Sequence, residues 1–454
     1  ARQLMAVLRG LVGAGSSVCL VEHDMELVRG CDWVVDVGPG AGTQGGRILH
    51  SGPVDQLQDV AESATGRFLR ASTPPEQIRG GPVRVSEQRL RLRGVRRNTL
   101  DGIDAEFPIG ALTALTGVSG SGKSSLLDAL GDATAQHLEG SGVVDLEAGD
   151  PEETSEGSEA EQQRGPGTTV AAAEGLEEVR RLVRITQKPI GRTPRSDLAT
   201  YTGLFDHVRA LFADTPEARS RGWKAGRFSF NTTPGRCPHC QGQGQVEVEL
   251  VFLPGSWTVC PVCHGTRYDD ETLSVRWEGR TIAEILELTV AEALAVFAEE
   301  PSDEEAAHRP RSASQRRRVD AIRRPLEALG ALGLGYLRLG QPATELSGGE
   351  AQRIKLASEL HRTGRSRTLY LLDEPSTGLH PADAERLLRV LHGLARDGAT
   401  VVMAEHRPEA IRTADHVIDL GPGAGRRGGT VVAAGTPQQV AADPDSVTGP
   451  WLRG

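Results

Sequence analysis

Long hydrophobic runs and aromatic residues are scarce in this 454-residue sequence. Aromatic side chains make up 4% of the residues, whereas hydrophobic residues make up 38% and charged residues 25%, which is typical of a globular protein. No apolar run approaches the roughly 20 residues that a membrane helix needs, and no signal-peptide pattern stands at Ala1. We therefore expect a soluble, cytoplasmic protein of two to four domains without a membrane partner.

Positive charge is absent from residues 124–163, which contain neither lysine nor arginine although they are rich in Asp and Glu. A net charge of −10 would argue against nucleic acid if it were evenly spread, but it is not. We expect residues 141–175 to form an acidic, disordered loop. Seven arginines then cluster in residues 309–324. This cluster is more typical of a solvated helix face than of a nucleic-acid contact, and both interpretations stay open.

Cysteine is also rare, and its six occurrences fall into two groups. Cys19 and Cys31 are isolated in apolar surroundings, which predicts thiols in the core. The other four form two CxxC pairs separated by 19 residues: Cys237, Cys240, Cys260 and Cys263. Two thiolates from each pair would complete a tetrahedral, structural Zn²⁺ site in a reducing compartment. The alternatives are His239 or His264 as a ligand, and paired disulfides.

A glycine-rich segment matches the phosphate-loop pattern GxxxxGK[ST]. It reads Gly117-Val118-Ser119-Gly120-Ser121-Gly122-Lys123-Ser124, and Ser125 begins the helix-like run that follows. Backbone N–H groups of such a loop converge on phosphate oxygens at a helix N-terminus. Lys123 would reach the β- and γ-phosphates of ATP, and Ser124 would bind Mg²⁺.

A second segment identifies the kind of ATPase. It reads Leu346-Ser347-Gly348-Gly349-Glu350, and an apolar strand ending in Asp373-Glu374 follows about twenty residues later. This combination is typical of ATP-binding cassette (ABC) ATPases, in which the LSGGE of one cassette closes over the ATP of another. Asp373 is placed to hold Mg²⁺ through its water shell, and Glu374 to orient the attacking water.

Two further residues match ABC positions. His406 follows the apolar run 400–404 and fits the switch histidine that touches the γ-phosphate. Gln187 fits the glutamine that senses Mg²⁺ and the lytic water, although a plain solvated glutamine is the alternative. We therefore assign catalytic roles to Glu374, His406 and Gln187.

An internal repeat organises the chain. Residues 18–57 align without gaps on 401–440 with 17 of 40 positions identical, including Glu22/Glu405 and His23/His406. We interpret 1–70 as the tail of a first cassette whose body is missing. The other predicted parts are a linker at 71–82, a second cassette at 83–140 and 335–454, and an inserted domain at 176–334 with a zinc module at 237–263. The predicted fold is α/β, a P-loop NTPase of the ABC type with a large zinc-containing α+β insertion.

Together these motifs resemble the UvrA family of bacterial nucleotide excision repair. The resemblance rests on IGRTPRS at 190–196, ATYTG at 199–203, GRFSFN at 226–231, LGQPAT at 339–344 and the run 346–360. It implies paired cassettes, dimerisation, binding of duplex DNA, loading of a UvrB-like partner through the amino-terminal half, and no nuclease activity of its own. Arg192, Arg195, Lys224 and Arg227 are candidate contacts to DNA phosphates.

Departures from the family pattern keep alternatives open. Pro381, the acidic run 141–163 and the short spacing after the phosphate loop suggest a paralogue. Some such paralogues are linked to resistance against DNA-intercalating drugs, which is the second functional hypothesis. A third is a chaperone-like module, because CxxCxGxG at 237–244 also occurs in zinc chaperones.

Overall fold

The computed structural model describes residues 2–40, 45–84, 86–145, 167–191, 193–250, 253–298, 311–360 and 366–453. These form two compact units, one from 2–145, 167–186 and 366–453, the other from 187–360. Most of the predicted acidic loop and Arg192 lie outside the described residues. No helix in the described part of the chain is long and apolar enough to cross a membrane. The domain boundaries given above stay predictions.

The described residues form seventeen α-helices and fourteen strands. The helices are α1 Arg2–Gly13, α2 Met25–Arg29, α3 Ala64–Arg70, α4 Pro75–Arg79, α5 Lys123–His137, α6 Leu198–Tyr201, α7 Leu204–Ala213, α8 Pro216–Ser220, α9 Asp270–Leu273, α10 Ile282–Glu287, α11 Val290–Ala298, α12 Ala313–Ala331, α13 Gly348–Leu360, α14 Pro381–Arg396, α15 Pro408–Ile411, α16 Pro437–Ala442 and α17 Gly449–Leu452. The strands are β1 Val34–Gly38, β2 Arg47–Gly52, β3 Arg89–Arg97, β4 Leu100–Pro108, β5 Leu112–Gly117, β6 Val143–Asp145, β7 Ala172–Glu174, β8 Arg181–Ile185, β9 Gln245–Leu250, β10 Leu253–Val259, β11 Thr368–Asp373, β12 Thr400–Ala404, β13 His416–Gly421 and β14 Thr430–Gly435.

A seven-stranded sheet forms the centre of the first unit. Its order is β14-β13-β5-β12-β11-β8-β6, and every pairing is parallel except that of β13 with β14. Strands β5, β11 and β12 are apolar and almost entirely buried, as expected of central parallel strands covered on both faces. The carboxyl ends of β5, β11 and β12 therefore carry the phosphate loop, Asp373 and His406 to one edge of the sheet.

A second sheet of the same unit is antiparallel, in the order β4-β3-β7. Along β3 the apolar residues Leu90 and Leu92 are fully buried, whereas Arg89, Arg91 and Arg93, which alternate with them, are partly exposed, the alternation of a strand with one covered face. These side chains join a hydrophobic core with Leu126 and Leu130 of α5 and Leu115 of β5. The helix that follows the phosphate loop is thus held between the two sheets.

The internal repeat extends to backbone register. Strands β1 and β2 pair antiparallel with a bulge after Asp36, and β13 and β14 pair in the same way with the bulge after Asp419, the equivalent residue. The environments differ, because Val37 is 61% exposed whereas its counterpart Leu420 is fully buried. The prediction of a core thiol at Cys19 is wrong, since this residue is exposed. Its counterpart in the second copy lies in β12, but residues 16–24 form no strand.

The second unit is mainly helical and carries the β9–β10 hairpin beside the cysteines. Helix α12 packs against both α7 and α11, and it buries Val319, Ile322 and Leu326 at helical spacing. Two arginines of the basic cluster, Arg316 and Arg317, lie on the exposed side of α12. A solvated helix face therefore describes this part of the cluster.

Candidate nucleotide site and metal centre

The phosphate loop joins β5 to α5 in the arrangement that its motif requires. Gly117 has φ 133°, and a Cβ there would lie 2.0 Å from the backbone oxygen of Leu420, so only glycine fits. Lys123 Nζ donates to the backbone oxygens of Gly117 and Val118, both at 3.0 Å. Burial lowers the pKa of Lys123, against the opposing charges of Glu374 and Asp373. The backbone of the phosphate loop thus wraps around the Lys123 ammonium group, which its carbonyl oxygens bind.

The other loop residues differ in exposure. Ser119 and Gly120 face solvent, whereas Ser121 is fully buried and its Oγ has no partner among the described residues. Gly122 has φ 108° and begins α5 as its N-cap. Ser125 Oγ accepts a hydrogen bond of 3.0 Å from Asn98 Nδ2 in the β3–β4 turn, a contact that motif analysis did not predict.

Asp373 lies beside the end of the phosphate loop. Ser124 Oγ donates to Asp373 Oδ1 at 3.4 Å, although 249 positions separate the two residues in sequence. Burial raises the pKa of Asp373, and the hydrogen bond from Ser124 opposes this effect. A hydroxyl and a carboxylate oxygen, the ligand types that Mg²⁺ prefers, therefore meet at this point.

Glu374 and His406 form a direct contact between Oε1 and Nε2. Glu374 Oε2 also accepts a hydrogen bond of 3.3 Å from Thr377 Oγ1. Burial acts to raise the pKa of Glu374, but the hydrogen bond and the charge of His406 outweigh it, so the pKa is lowered. The carboxylate is therefore ionised at neutral pH, as a residue that accepts a proton from water must be.

The LSGGE segment, residues 346–350 and called the signature segment below, leads into α13 in the second unit. The backbone N–H and the Oγ of Ser347 both donate to Glu350 Oε2 at 2.8 Å, and Glu350 N–H donates back to Ser347 Oγ at 3.3 Å. This reciprocal pattern is a capping box, and it fixes the start of the helix. Gly348 and Gly349 follow, and a Cβ on Gly348 would lie 3.3 Å from the backbone oxygen of Gln187. Gln187 and the signature segment thus lie side by side.

The four paired cysteines converge. All their Sγ atoms lie within 4.8 Å of one another, and all four residues are buried. In the described part of the chain this is the group that could hold a metal, and neither His239 nor His264 belongs to it. Burial opposes ionisation of Cys260, but the backbone N–H groups of Cys263 and Val262 lower its pKa to about 7. Burial raises the pKa of Cys263 to about 12.

The candidate DNA contacts differ in availability. Lys224 is exposed and Arg195 is half-buried. The Arg227 guanidinium pairs with Asp269 at 3.2 Å and Glu271 at 2.8 Å, and it lies over the Trp223 ring at 4.3 Å from the ring centre. Arg227 therefore connects parts of the second unit, and its charge is already neutralised.

Comparisons with known proteins agree with this geometry. Residues 304–412, about a quarter of the chain, match the family described as "AAA domain, putative AbiEii toxin, Type IV TA system". The chain is 46% identical to UvrABC system protein A of Mycobacterium bovis and 43% identical to that of Deinococcus radiodurans, over 99% of its own length in both cases. It covers 42% and 40% of these two proteins, so it spans about two fifths of the length of the curated relatives that it matches.

The fold agrees as well. The crystal structure of UvrA2 from Deinococcus radiodurans superimposes with a TM-score of 0.83 and 50% identity, covering 99% of this chain and 49% of that one. The predicted fold class, an ABC-type P-loop ATPase fold with a cysteine-bearing insertion, is thereby confirmed. The chain belongs to the UvrA family.

Proposed function

We propose that this chain is part of an ATP-hydrolysing, zinc-containing protein that recognises DNA damage in nucleotide excision repair. The observation that carries the proposal is the cluster at the sheet edge, where Lys123, the Ser124–Asp373 pair and the Glu374–His406 pair meet. A lysine for phosphate, oxygen ligands for a cation and an ionised carboxylate are the parts that phosphoryl transfer to water requires.

ATP binding is assigned to the phosphate loop. The curled loop and the N-terminus of α5 offer N–H groups to phosphate oxygens, and Lys123 would exchange its two backbone acceptors for the β- and γ-phosphates. Ser124 and Asp373 would hold Mg²⁺ between their oxygens, and the cation would supply charge neutralisation at the phosphates. The donor set fits, because both side chains offer oxygen and they already lie within 3.4 Å.

Hydrolysis is assigned to the Glu374–His406 pair. Glu374 would orient the attacking water through its ionised carboxylate, and His406 would hold that carboxylate and face the γ-phosphate. Gln187, in the second unit beside the signature segment, would respond to Mg²⁺ and to the lytic water. Ser347, Gly348, Gly349 and Glu350 would close over the ATP of a second cassette, with the backbone N–H groups of α13 directed at its phosphates.

The four thiols are assigned to one structural Zn²⁺. They are buried, close together and four in number, which fits tetrahedral coordination without an open position. When bound, zinc would hold the two CxxC pairs as one module. Such sites contribute roughly 10–16 kcal/mol to the folding of small modules.

Duplex DNA, a UvrB-like partner and a second cassette are the proposed partners of the whole protein. DNA contact would use exposed cations such as Lys224 together with the arginines nearby, because damage recognition must tolerate any sequence. The alternative is a paralogue that protects DNA from intercalating drugs. It is favoured by 50% identity to the protein called UvrA2, against 43% to UvrABC system protein A of the same organism.

The test of the catalytic assignment compares three variants in ATP binding and ATPase assays. Glu374→Gln should bind ATP like the parent but lose hydrolysis by about two orders of magnitude or more, since the water-orienting charge is removed. Lys123→Ala should weaken ATP binding itself. The control Glu409→Gln changes an exposed carboxylate nearby and should leave both quantities unchanged. Hydrolysis by Glu374→Gln at the parent rate would refute the assignment.

A cellular assay separates the two functions. Survival of drug-treated cells that express the protein is measured in strains with and without UvrB. Rescue only in the strain with UvrB supports the repair function, and rescue in both strains supports the paralogue.

A further inference from the structure

We propose that Glu405 and Arg407, the residues on either side of His406, are positioning residues for the catalytic pair. They hold the turn 374–380 against the end of β12, and thereby keep Glu374 in contact with His406. The inference rests on the proposed ATPase function. It assigns these two side chains a role that no motif of the sequence indicates.

The backbone of Glu374 needs such support. Its φ is 47°, in the left-handed region that residues with a side chain rarely adopt unless the surrounding structure holds them there. Glu374 N–H donates to the backbone oxygen of Ala404 at 3.0 Å, which ties the residue to the last position of β12. The chain then turns back, with Thr377 N–H donating to the backbone oxygen of Glu374 at 3.1 Å.

Glu405 binds a backbone N–H group in the amino-terminal part of this turn. Its side chain is fully buried, and Oε1 accepts a hydrogen bond of 3.0 Å from the backbone N–H of Ser376. Oε2 accepts the backbone N–H groups of His406 at 2.8 Å and of Arg407 at 3.2 Å. A buried carboxylate is tolerated only where donors surround it, and here the donors come from both segments. The carboxylate therefore joins the turn to the histidine segment.

Arg407 binds backbone carbonyl oxygens of the same turn. Its Nη1 donates to the backbone oxygen of Leu379 at 2.9 Å and approaches that of Ser376 at 3.5 Å. Ser376 is thus held through its N–H by an anion and through its carbonyl by a cation. Because the two side chains come from the neighbours of His406, these contacts tie the turn to the histidine segment.

The internal repeat shows that the two copies share the glutamate of this arrangement but not the arginine. In the first copy Glu22 precedes His23, and Glu22 Oε2 accepts the His23 N–H at 3.2 Å, as in the second copy. The next position differs, because Asp24 caps α2 by accepting the N–H of Glu26 at 2.7 Å. The carboxylate is therefore common to both copies, whereas the arginine is a feature of the second.

The experiment uses the full chain and measures amide hydrogen exchange together with ATPase kinetics. In Glu405→Gln the shape is kept, but the amide nitrogen replaces one accepting oxygen. The remaining oxygen should stay with the two N–H groups of His406 and Arg407, so the turn loses its acceptor at Ser376. Exchange in residues 375–380 should rise roughly 10- to 100-fold, the value of a hydrogen bond to a charged group. The kcat for ATP should fall about tenfold or more at unchanged KM, because the phosphate loop is untouched. Glu409→Gln is the matched control. Arg407→Gln is an independent second variant, and it should show the same rise in exchange and the same fall in kcat.

The outcomes are distinct. Unchanged exchange in 375–380, equal exchange increases in β5, or a loosened turn with normal kcat would each overturn the inference. If Glu405→Gln does not fold, Arg407→Gln decides by the same criteria. If Glu374→Gln keeps the parent kcat, the proposed function has failed, and exchange still decides whether Glu405 and Arg407 hold the turn.

Discussion

A buried ion pair connects the cysteine module to the segment that leads into the signature motif. Asp197 is fully buried and accepts a hydrogen bond of 2.9 Å from Arg267 Nη1. Arg267 Nη2 donates to the backbone oxygen of Gly340 at 2.8 Å, and its guanidinium lies 4.8 Å from the centre of the Phe230 ring. The backbone oxygen of Arg267 also accepts the N–H of Cys237 at 2.9 Å. Arg267 thus joins four parts of the second unit, three through its side chain and one through its backbone.

Arg267→Met keeps the apolar volume and removes the charge. Breaking a buried pair by removing one partner costs about 3–5 kcal/mol, because the other charge stays buried without compensation. We expect a loss of this size in the free energy of unfolding of the second unit. The double variant Arg267→Met/Asp197→Asn removes both charges and should recover more than half of the loss. Arg221→Met, which changes an exposed arginine of the same unit, should stay within about 0.5 kcal/mol of the parent.

The loss should depend on pH in a defined direction. Burial raises the pKa of Asp197, while Arg267 and hydrogen bonds involving Thr200 oppose this effect. Without Arg267 the pKa rises further above the unfolded value of about 3.9. The folded variant then binds more protons than the unfolded chain, so its stability falls as pH rises from the unfolded pKa to the folded pKa. Relative to the parent, Arg267→Met should be less destabilised at pH 5 than at pH 7.5.

Urea unfolding followed by pulsed amide exchange in α7 measures this, since α7 belongs to the second unit. A loss below about 1 kcal/mol would refute the reasoning. A double variant as unstable as the single variant would refute it equally, because the cost would then come from packing.

Three further predictions concern the metal, the phosphate loop and the composite site. Cys260→Ser should lower bound Zn²⁺ well below one equivalent per chain by elemental analysis, whereas Cys31→Ser should retain it, and no zinc in the parent would contradict the assignment. Gly117→Ala should abolish ATP binding in a fluorescent-nucleotide titration, because the added Cβ meets a backbone oxygen at 2.0 Å. The control Gly110→Ala is also at positive φ but in open space, so it should lower the free energy of unfolding by about 1–2 kcal/mol and leave ATP binding intact. ATPase activity should rise with protein concentration and be lost in Ser347→Arg, and activity independent of both would contradict closure over a second cassette's ATP.

Motif spacing indicated residues that the structure brings together at the candidate nucleotide site, but not how they are held there. Ser124 follows β5 and Asp373 ends β11, two parallel strands of one sheet that are separated by β12, and this placement follows from an apolar strand before each motif. The support of Glu374 by Glu405 did not follow, because its contacts go to backbone N–H groups that any residue provides. The available signal was the identity of Glu22 and Glu405 in the repeat.

The DNA candidates show the opposite difficulty. Arg227 lies in a segment that resembles the family, yet its partners Asp269 and Glu271 are more than 40 residues away. A sequence shows that an arginine is present but not whether a distant carboxylate has neutralised it. Cys19 lies in a similarly apolar neighbourhood and is nevertheless exposed, because residues 16–24 form no strand that would bury it.

The repeat conserves a local hydrogen-bond arrangement and attaches it to different elements. In each copy an aspartate at the strand bulge accepts hydrogen bonds from a serine and a threonine: Asp36, Ser63 and Thr65 in the first, Asp419, Ser446 and Thr448 in the second. The threonine then makes one further contact. Thr448 Oγ1 lies 3.2 Å from Thr116 Oγ1, immediately before the phosphate loop, whereas Thr65 Oγ1 lies 3.3 Å from His380 Nε2, at the end of the turn that follows Glu374. The aspartate fixes the threonine within its own copy, so the contact beyond it depends on the element that packs there. The same short pattern thus anchors one hairpin beside the phosphate loop and the other beside the turn that follows Glu374.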